Sequence, residues 1–158
     1  MGYKVESDFN HKYRCVIILS KQGHRCGYVG VSNSHPLYGV DYSAKIEGLK
    51  LPENEPIGKR GILSLVCGSE NSLDVYFNVH GSLTFSSGSK EYPVESDLWW
   101  FGFDCNHLDD ASDIAACKEA FGEVPLYPSQ GTIRTLEYVT QECKNLADQL
   151  EQYNEVAY

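Results

Sequence analysis

The hydrophobic period of this chain changes once, near Asp104, and no other feature constrains its fold as much. Upstream, apolar residues alternate or run together as they do in strands; downstream, they recur every three to four residues, as on one side of a helix. Residues 13–19 end in the β-branched run Val16-Ile17-Ile18. Lys21-Gln22-Gly23 then supplies a turn, and residues 25–31 continue extended, which predicts a hairpin. Ser32 to Pro36 punctuates the chain, and a loop follows through Leu37, Tyr38 and Gly39. A turn-rich acidic stretch, residues 51–58, precedes a second predicted hairpin over 62–85 that turns at 68–72. Residues 98–104 read as a further strand.

Beyond Asp104, Asp109, Ser112 or Asp113 can cap a helix carrying Ile114, Ala115, Cys117, Ala120 and Phe121, which stops at Gly122 and the Pro125–Pro128 region. A second helix is predicted from Thr132, with Ile133, Leu136, Val139, Cys143, Leu146 and Leu150 as one apolar stripe. Strands first and helices last make this an α+β chain: a mainly antiparallel sheet with two C-terminal helices packed on one face, in a single domain over residues 1–158.

Charge and cysteine content narrow the function classes. The net charge of −9 repels phosphate backbones and anionic lipid at long range, so direct nucleic-acid or membrane binding is not expected. It suits docking on a basic protein surface. The six cysteines are widely spaced without a CxxC pair, and the N-terminus lacks a signal-peptide core. Reduced thiols in a cytoplasmic protein are the expectation, with a disulfide framework as the alternative. Oligomeric state is left open.

Candidate chemistry concentrates in two stretches. Alternation over 75–85 puts Val75, Phe77, Val79, Leu83 and Phe85 on a core face, leaving Tyr76, Asn78, His80, Ser82 and Thr84 opposite. In residues 99–106, Trp99, Phe101, Phe103 and Cys105 alternate with Trp100, Gly102, Asp104 and Asn106. Gly102 leaves room for a ligand or a backbone to come close. If these faces adjoin that of His24 and Tyr28, a pocket floor results. Its predicted ligand-binding residues are His24, Tyr28, Tyr76, Asn78, His80, Ser82, Trp100, Asp104 and Arg134, with His107 beside them. The competing reading is packing, because Tyr, Trp and Thr are strand formers that a C-terminal helix can cover.

His80, Asp104 and His107 are candidate catalytic residues, since imidazole and carboxylate side chains do general acid/base work near neutral pH. The same three are weak candidates for a divalent metal, with His24 or Cys105 as a further ligand and Asp109 and Asp110 as oxygen donors; no dense ligand motif demands a cofactor. Asp109 and Asp110 serve equally well as helix-capping acids. Cys26 and Cys105 lie near histidines but read as small buried hydrophobes. Phosphate-cradle motifs are missing, and Gly27-Tyr28-Val29-Gly30 specifies nothing. A nucleotide would have to be held by stacking on Trp100, Tyr28 or Tyr76, with Arg25 or Arg134 supplying charge.

Four strings, His24-Arg25-Cys26-Gly27-Tyr28-Val29-Gly30, His80-Gly81-Ser82-Leu83-Thr84-Phe85, Trp99 through His107, and Arg134-Thr135-Leu136-Glu137-Tyr138-Val139 with Glu142-Cys143, occur in that order. Together they resemble a family of small uncharacterised proteins of tailed phages and prophages, whose members read HRCGYVG, HGGLTYS, WWxGFDCAHxGD and RTLEYVxxEC. The chain departs from that pattern at Ser82, Phe85 and Asn106, and at Leu108-Asp109-Asp110, which lacks the glycine; residues 44–73 look like an insertion. The resemblance carries no established activity. It implies a phage-encoded accessory protein acting in the host cytoplasm, of the kind that blunts bacterial immunity. The expected function is binding of a small nucleotide-derived ligand, sequestering an immune signal; the alternatives are its cleavage by His80, Asp104 and His107, with or without a metal, and inhibition of a host defence protein through the acidic surface.

Overall fold

The computed structural model describes residues 2–47, 49 and 72–156. Its centre is a five-stranded sheet of β1 (Tyr3–His11), β2 (Tyr13–Ser20), β3 (Arg25–Val31), β4 (Phe85–Ser87) and β5 (Trp99–Asp104), in the order β1-β2-β3-β5-β4. All neighbours are antiparallel. A one-turn helix, α1 (Leu73–Tyr76), precedes β4. The short strands β6 (Asp110–Ala111) and β7 (Thr132–Ile133) pair in parallel on either side of α2 (Ile114–Phe121), and α3 (Leu136–Val156) closes the chain. The α+β expectation holds, as do the first hairpin and the strand ending at Asp104.

Each sheet face has its own apolar layer. Cys15, Ile17, Val29, Val31, Phe101 and Phe103 pack against Val139, Cys143, Leu146 and Leu150 of the predicted stripe and against Ala147, all on α3, whereas Ile133, the predicted first residue of the stripe, is exposed in β7. The opposite face carries Val16, Ile18, Tyr28 and Trp100, and Tyr92, Val94 and Leu98 pack over it. Burial on both faces explains why β2 is a continuous apolar run rather than an alternating one. The N-terminal strand β1 has no such run, so its pattern did not announce it. A register shift between Val5 and Ser7 sets Glu6 apart from the ladder, and its carboxylate meets the buried Arg25 guanidinium at 2.6 Å; Asp113 meets the same guanidinium at 2.8 Å. Burial alone would lower the pKa of Arg25, but the bonds from Glu6 and Asp113 more than reverse this.

Three expectations are corrected. Residues 75–85 do not form a strand: 73–76 are helical, and only Phe85–Ser87 joins the sheet. The inward residues Val75, Phe77, Val79 and Leu83 are buried as alternation requires. The ladder, however, is replaced by side chains of α3: Gln149 accepts from the Asn78 N–H (2.8 Å) and donates to the Asn78 carbonyl (2.9 Å). The first half of that predicted hairpin lies outside the described residues. Second, the final helix starts at Leu136 rather than Thr132. Thr135 Oγ1 accepts from the Tyr138 N–H at 3.1 Å, so the capping threonine is three residues later and Thr132 is in β7. Third, Ile114 is exposed, not part of an apolar stripe. In that helix Asp113 is the cap, accepting from the Ala116 N–H at 3.1 Å, and Gly122 ends it in the left-handed conformation.

Candidate functional site

The pairing of β6 with β7 sets Asp110 opposite Thr132, which brings Arg134 against Asp110 and starts α3 so that Tyr138 and Glu142 follow on one face at four-residue steps. Asp110 is fully buried. Its carboxylate accepts from Arg134 Nε (2.8 Å), His80 Nε2 (2.8 Å) and the His107 backbone N–H (3.0 Å). His80 is therefore held at both ring nitrogens, because its Nδ1 lies 2.8 Å from the Tyr138 hydroxyl. Burial would raise the Asp110 carboxyl, but the hydrogen bonds from Arg134 and His80 outweigh this and keep it below the usual range. An ionised Asp110 can only accept, so Nε2 carries a ring proton, and in the neutral imidazole Nδ1 accepts from Tyr138. The result is a hydroxyl–imidazole–carboxylate chain running from Tyr138 through His80 to Asp110. The Arg134 guanidinium also lies over the Tyr138 ring, 5.2 Å from its centroid. Burial, followed by the nearby Glu142, pushes the Tyr138 phenol up to about 12.

Beside this chain stands a second pair. His107 Nε2 lies 3.1 Å from Asp104 Oδ1, and the two imidazole centroids are 6.0 Å apart. Nε2 is buried and has no in-line hydrogen bond, so the contact with Asp104 is ionic rather than directional. It raises the His107 pKa against desolvation and lowers that of Asp104, whose other oxygen accepts from Thr84 Oγ1 at 3.2 Å. His107 and Asp104 are about a third exposed, so this pair faces water while Asp110 does not.

The sign of its pH dependence follows. A raised histidine contributes stability that is present below the ordinary value of 6.5 and is lost as pH rises through the raised one; the lowered Asp104 contributes above 3.8 and loses it as pH falls. The thermal-midpoint difference between the native chain and His107→Gln is therefore expected to be largest between these limits and to close above pH 6.5. A difference that widened with rising pH would contradict this assignment.

Backbone strain collects at the same place. Gly81, Ser82 and Asp109 all have φ near +70°. Ser82 and Asp109 both adopt the left-handed conformation that glycine favours.

Of the predicted site residues, the structure brings together His80, Asp104, His107 and Arg134. The others lie elsewhere. Trp100 is 0% and Tyr28 4% exposed, both within the second apolar layer, so neither offers a stacking face to a ligand. The room at Gly102 is filled by the Tyr28 ring, 2.5 Å from where a Cβ would stand. His24 ties Cys105 O (2.8 Å) to Ser129 Oγ (3.2 Å). Tyr76 packs edge-on against Phe77 and Tyr153, Asn78 is paired with Gln149, and Ser82 is buried in the turn, donating its N–H to Val79 O. Arg25 is committed to Glu6 and Asp113.

Among the described residues no group of three or more His, Cys, Asp or Glu is arranged to hold a metal ion. His80 is turned to Asp110 and His107 to Asp104, and they do not converge as ligands. The five described cysteines are free thiols. Burial pushes Cys26 up to about 11 and Cys15 to about 12, and raises Cys105 and Cys143 as well, so none is a ready thiolate. No described helix is long and apolar enough to cross a membrane. An open depression of about 740 Å³ is lined by Lys90, Glu91, Glu95, Ser96 and Asp97, none of which belongs to the histidine cluster.

Tyr138 and Glu142 are site residues that the sequence pattern does not single out, and Asp110 figures in it only as a cap or oxygen donor. The four-residue spacing of Arg134, Tyr138 and Glu142, beside the apolar stripe, was the available signal. No family model matches the chain, and no curated protein or solved structure matches it.

Proposed function

We propose that the chain is a hydrolase acting on a small nucleotide-derived molecule, with the Tyr138–His80–Asp110 chain as its acid/base centre. That chain of hydrogen bonds is the observation that carries the reading, because it orders a hydroxyl, a base and an orienting carboxylate as in a nucleophile-activating triad. Capture without cleavage is the weaker reading, since a sponge for nucleotides needs stacking faces and Tyr28 and Trp100 are buried in a core layer.

In the proposed step the Tyr138 oxygen takes a proton from an attacking water as its own passes to His80 Nδ1, and Asp110 stabilises the imidazolium. His107, whose protonated form Asp104 favours, gives a proton to the leaving oxygen, and Arg134 provides positive charge for a phosphate. The resemblance to phage proteins suggests as substrate a signalling molecule of host immunity, met in the host cytoplasm.

Purified protein is incubated with a panel of cyclic nucleotides and NAD-derived molecules, and the products are separated by chromatography. Altered ligand is expected. Tyr138→Phe should slow its appearance by about 100-fold or more, the usual worth of a positioned acid/base group, with the thermal transition retained. Intact ligand recovered from the protein would replace cleavage by capture, and no interaction with any member would remove both.

A second reading is favoured by a separate observation. Leu108, Leu126 and Tyr127 are 97%, 89% and 93% exposed, on loops joined by the β6–β7 pair, in a chain of net charge −9. Docking on a basic protein partner is the function such a surface fits. Copurification with a basic protein that fails to weaken as salt rises would count against it.

A further inference from the structure

Glu142 is 1% exposed, one turn beyond Tyr138 on α3. Its Oε1 accepts the backbone N–H of His80 at 3.0 Å, and its Oε2 accepts from Asn145 Nδ2 at 3.2 Å. Burying a carboxylate is costly, and a helix interior offers cheaper ways to fill that volume. This one is spent on the main chain of a residue whose ring α3 already holds through Tyr138. His80 is thus gripped at three points: its N–H by Glu142, Nδ1 by Tyr138 and Nε2 by Asp110. The grip falls where the chain turns through two left-handed residues, Gly81 and Ser82, and where no strand ladder fixes the backbone. Without it, the His80 Cα would be free to shift, and its ring could not meet Tyr138 and Asp110 together.

We propose that Glu142 is a positioning residue of the acid/base centre: by accepting the His80 N–H it fixes the His80 backbone, so that the ring meets Tyr138 and Asp110 together. His80 is thereby held in one tautomer, with the proton on Nε2 facing Asp110. The inference rests on the acid/base reading of this site, but its test needs no substrate.

The test uses the full chain labelled with ¹⁵N in histidine, in native, Glu142→Gln and Glu142→Ala forms. The native ring nitrogens of His80 are expected to show a single Nε2–H tautomer. Glu142→Ala should mix the two tautomers and speed amide exchange at His80 by about tenfold or more, the worth of a lost charge-assisted hydrogen bond. Glu142→Gln keeps an acceptor for the N–H, so it should restore the single tautomer and the slow amide exchange at His80. An unchanged His80 signature in Glu142→Ala would overturn the proposal. So would mixed tautomers in Glu142→Gln, which decides the matter if the alanine variant does not fold. Failure of the substrate panel with these signatures as expected would refute the hydrolase reading and leave the role of Glu142 standing.

Discussion

Replacing Asp110 by alanine is expected to destabilise the fold by about 3 kcal/mol and to abolish any activity of the site. The fully buried carboxylate serves Arg134 Nε, His80 Nε2 and the His107 N–H, so its removal leaves three donors without an acceptor, two of them on cationic or ionisable groups. Breaking a buried pair costs about 3–5 kcal/mol; the lower end applies because Arg134 keeps 22% of its side chain in water. For a chain of this size that is a fall of roughly 6–12 °C in the thermal midpoint. Asp110→Asn keeps the volume and one acceptor, so it should lose less stability while still disturbing the proton order along Tyr138, His80 and residue 110. A loss below about 1 kcal/mol in the alanine variant, measured by denaturant unfolding, would show that the cluster is not the keystone described.

Gly81→Ala is the second large effect, expected at about 2–3 kcal/mol. A Cβ there would stand 2.2 Å from His107 Nε2 and 2.3 Å from its Cδ2, and φ is +69°. The left-handed conformation accounts for about 1–2 kcal/mol of that cost, and displacement of the His107 ring from Asp104 for the remainder. The two parts can be separated. In a His107→Ala background the ring is gone and only the backbone part should persist, so a double-mutant cycle should show coupling of about 1 kcal/mol. The NMR titration of His107 in Gly81→Ala should also move back toward the ordinary imidazole value, since the ion pair that raises it is broken. Strict additivity of the two substitutions would mean that glycine is needed there for its φ alone.

Much of the fold was legible because it depends on local chemistry. The hairpin of β2 and β3, the strand ending at Asp104, the Gly122 stop of α2 with Asp113 among its three candidate caps, and the apolar stripe of α3 from Leu136 on each follow from periodicity or capping over a few residues. Residues 75–85 show where that logic stops. Their alternation correctly marks Val75, Phe77, Val79 and Leu83 as core, because period two describes which side chains are buried in any extended run. It does not say what satisfies the backbone. Here Gln149 and Glu142 of α3 take the place of a neighbouring strand, and nothing within the run itself encodes those partners.

The site divides in the same way. That His80, Asp104 and His107 belong to one neighbourhood could be read from rare residue types set beside glycines. That Tyr28 and Trp100 are buried could not, because period two separates the faces of a strand without saying what covers each, and here an apolar layer lies on both. Asp110, Tyr138 and Glu142 reach His80 across 30, 58 and 62 residues of chain, through the β6–β7 pairing and the register of α3. Local patterning in the sequence marked β2, β3, β5, α2 and most of α3, but not β1, α1, β6 or β7, and it marked the residue types able to do acid/base work. Only the tertiary structure decided which of them share protons, because a hydrogen bond needs donor and acceptor within about 3 Å, and long-range packing alone brings them that close.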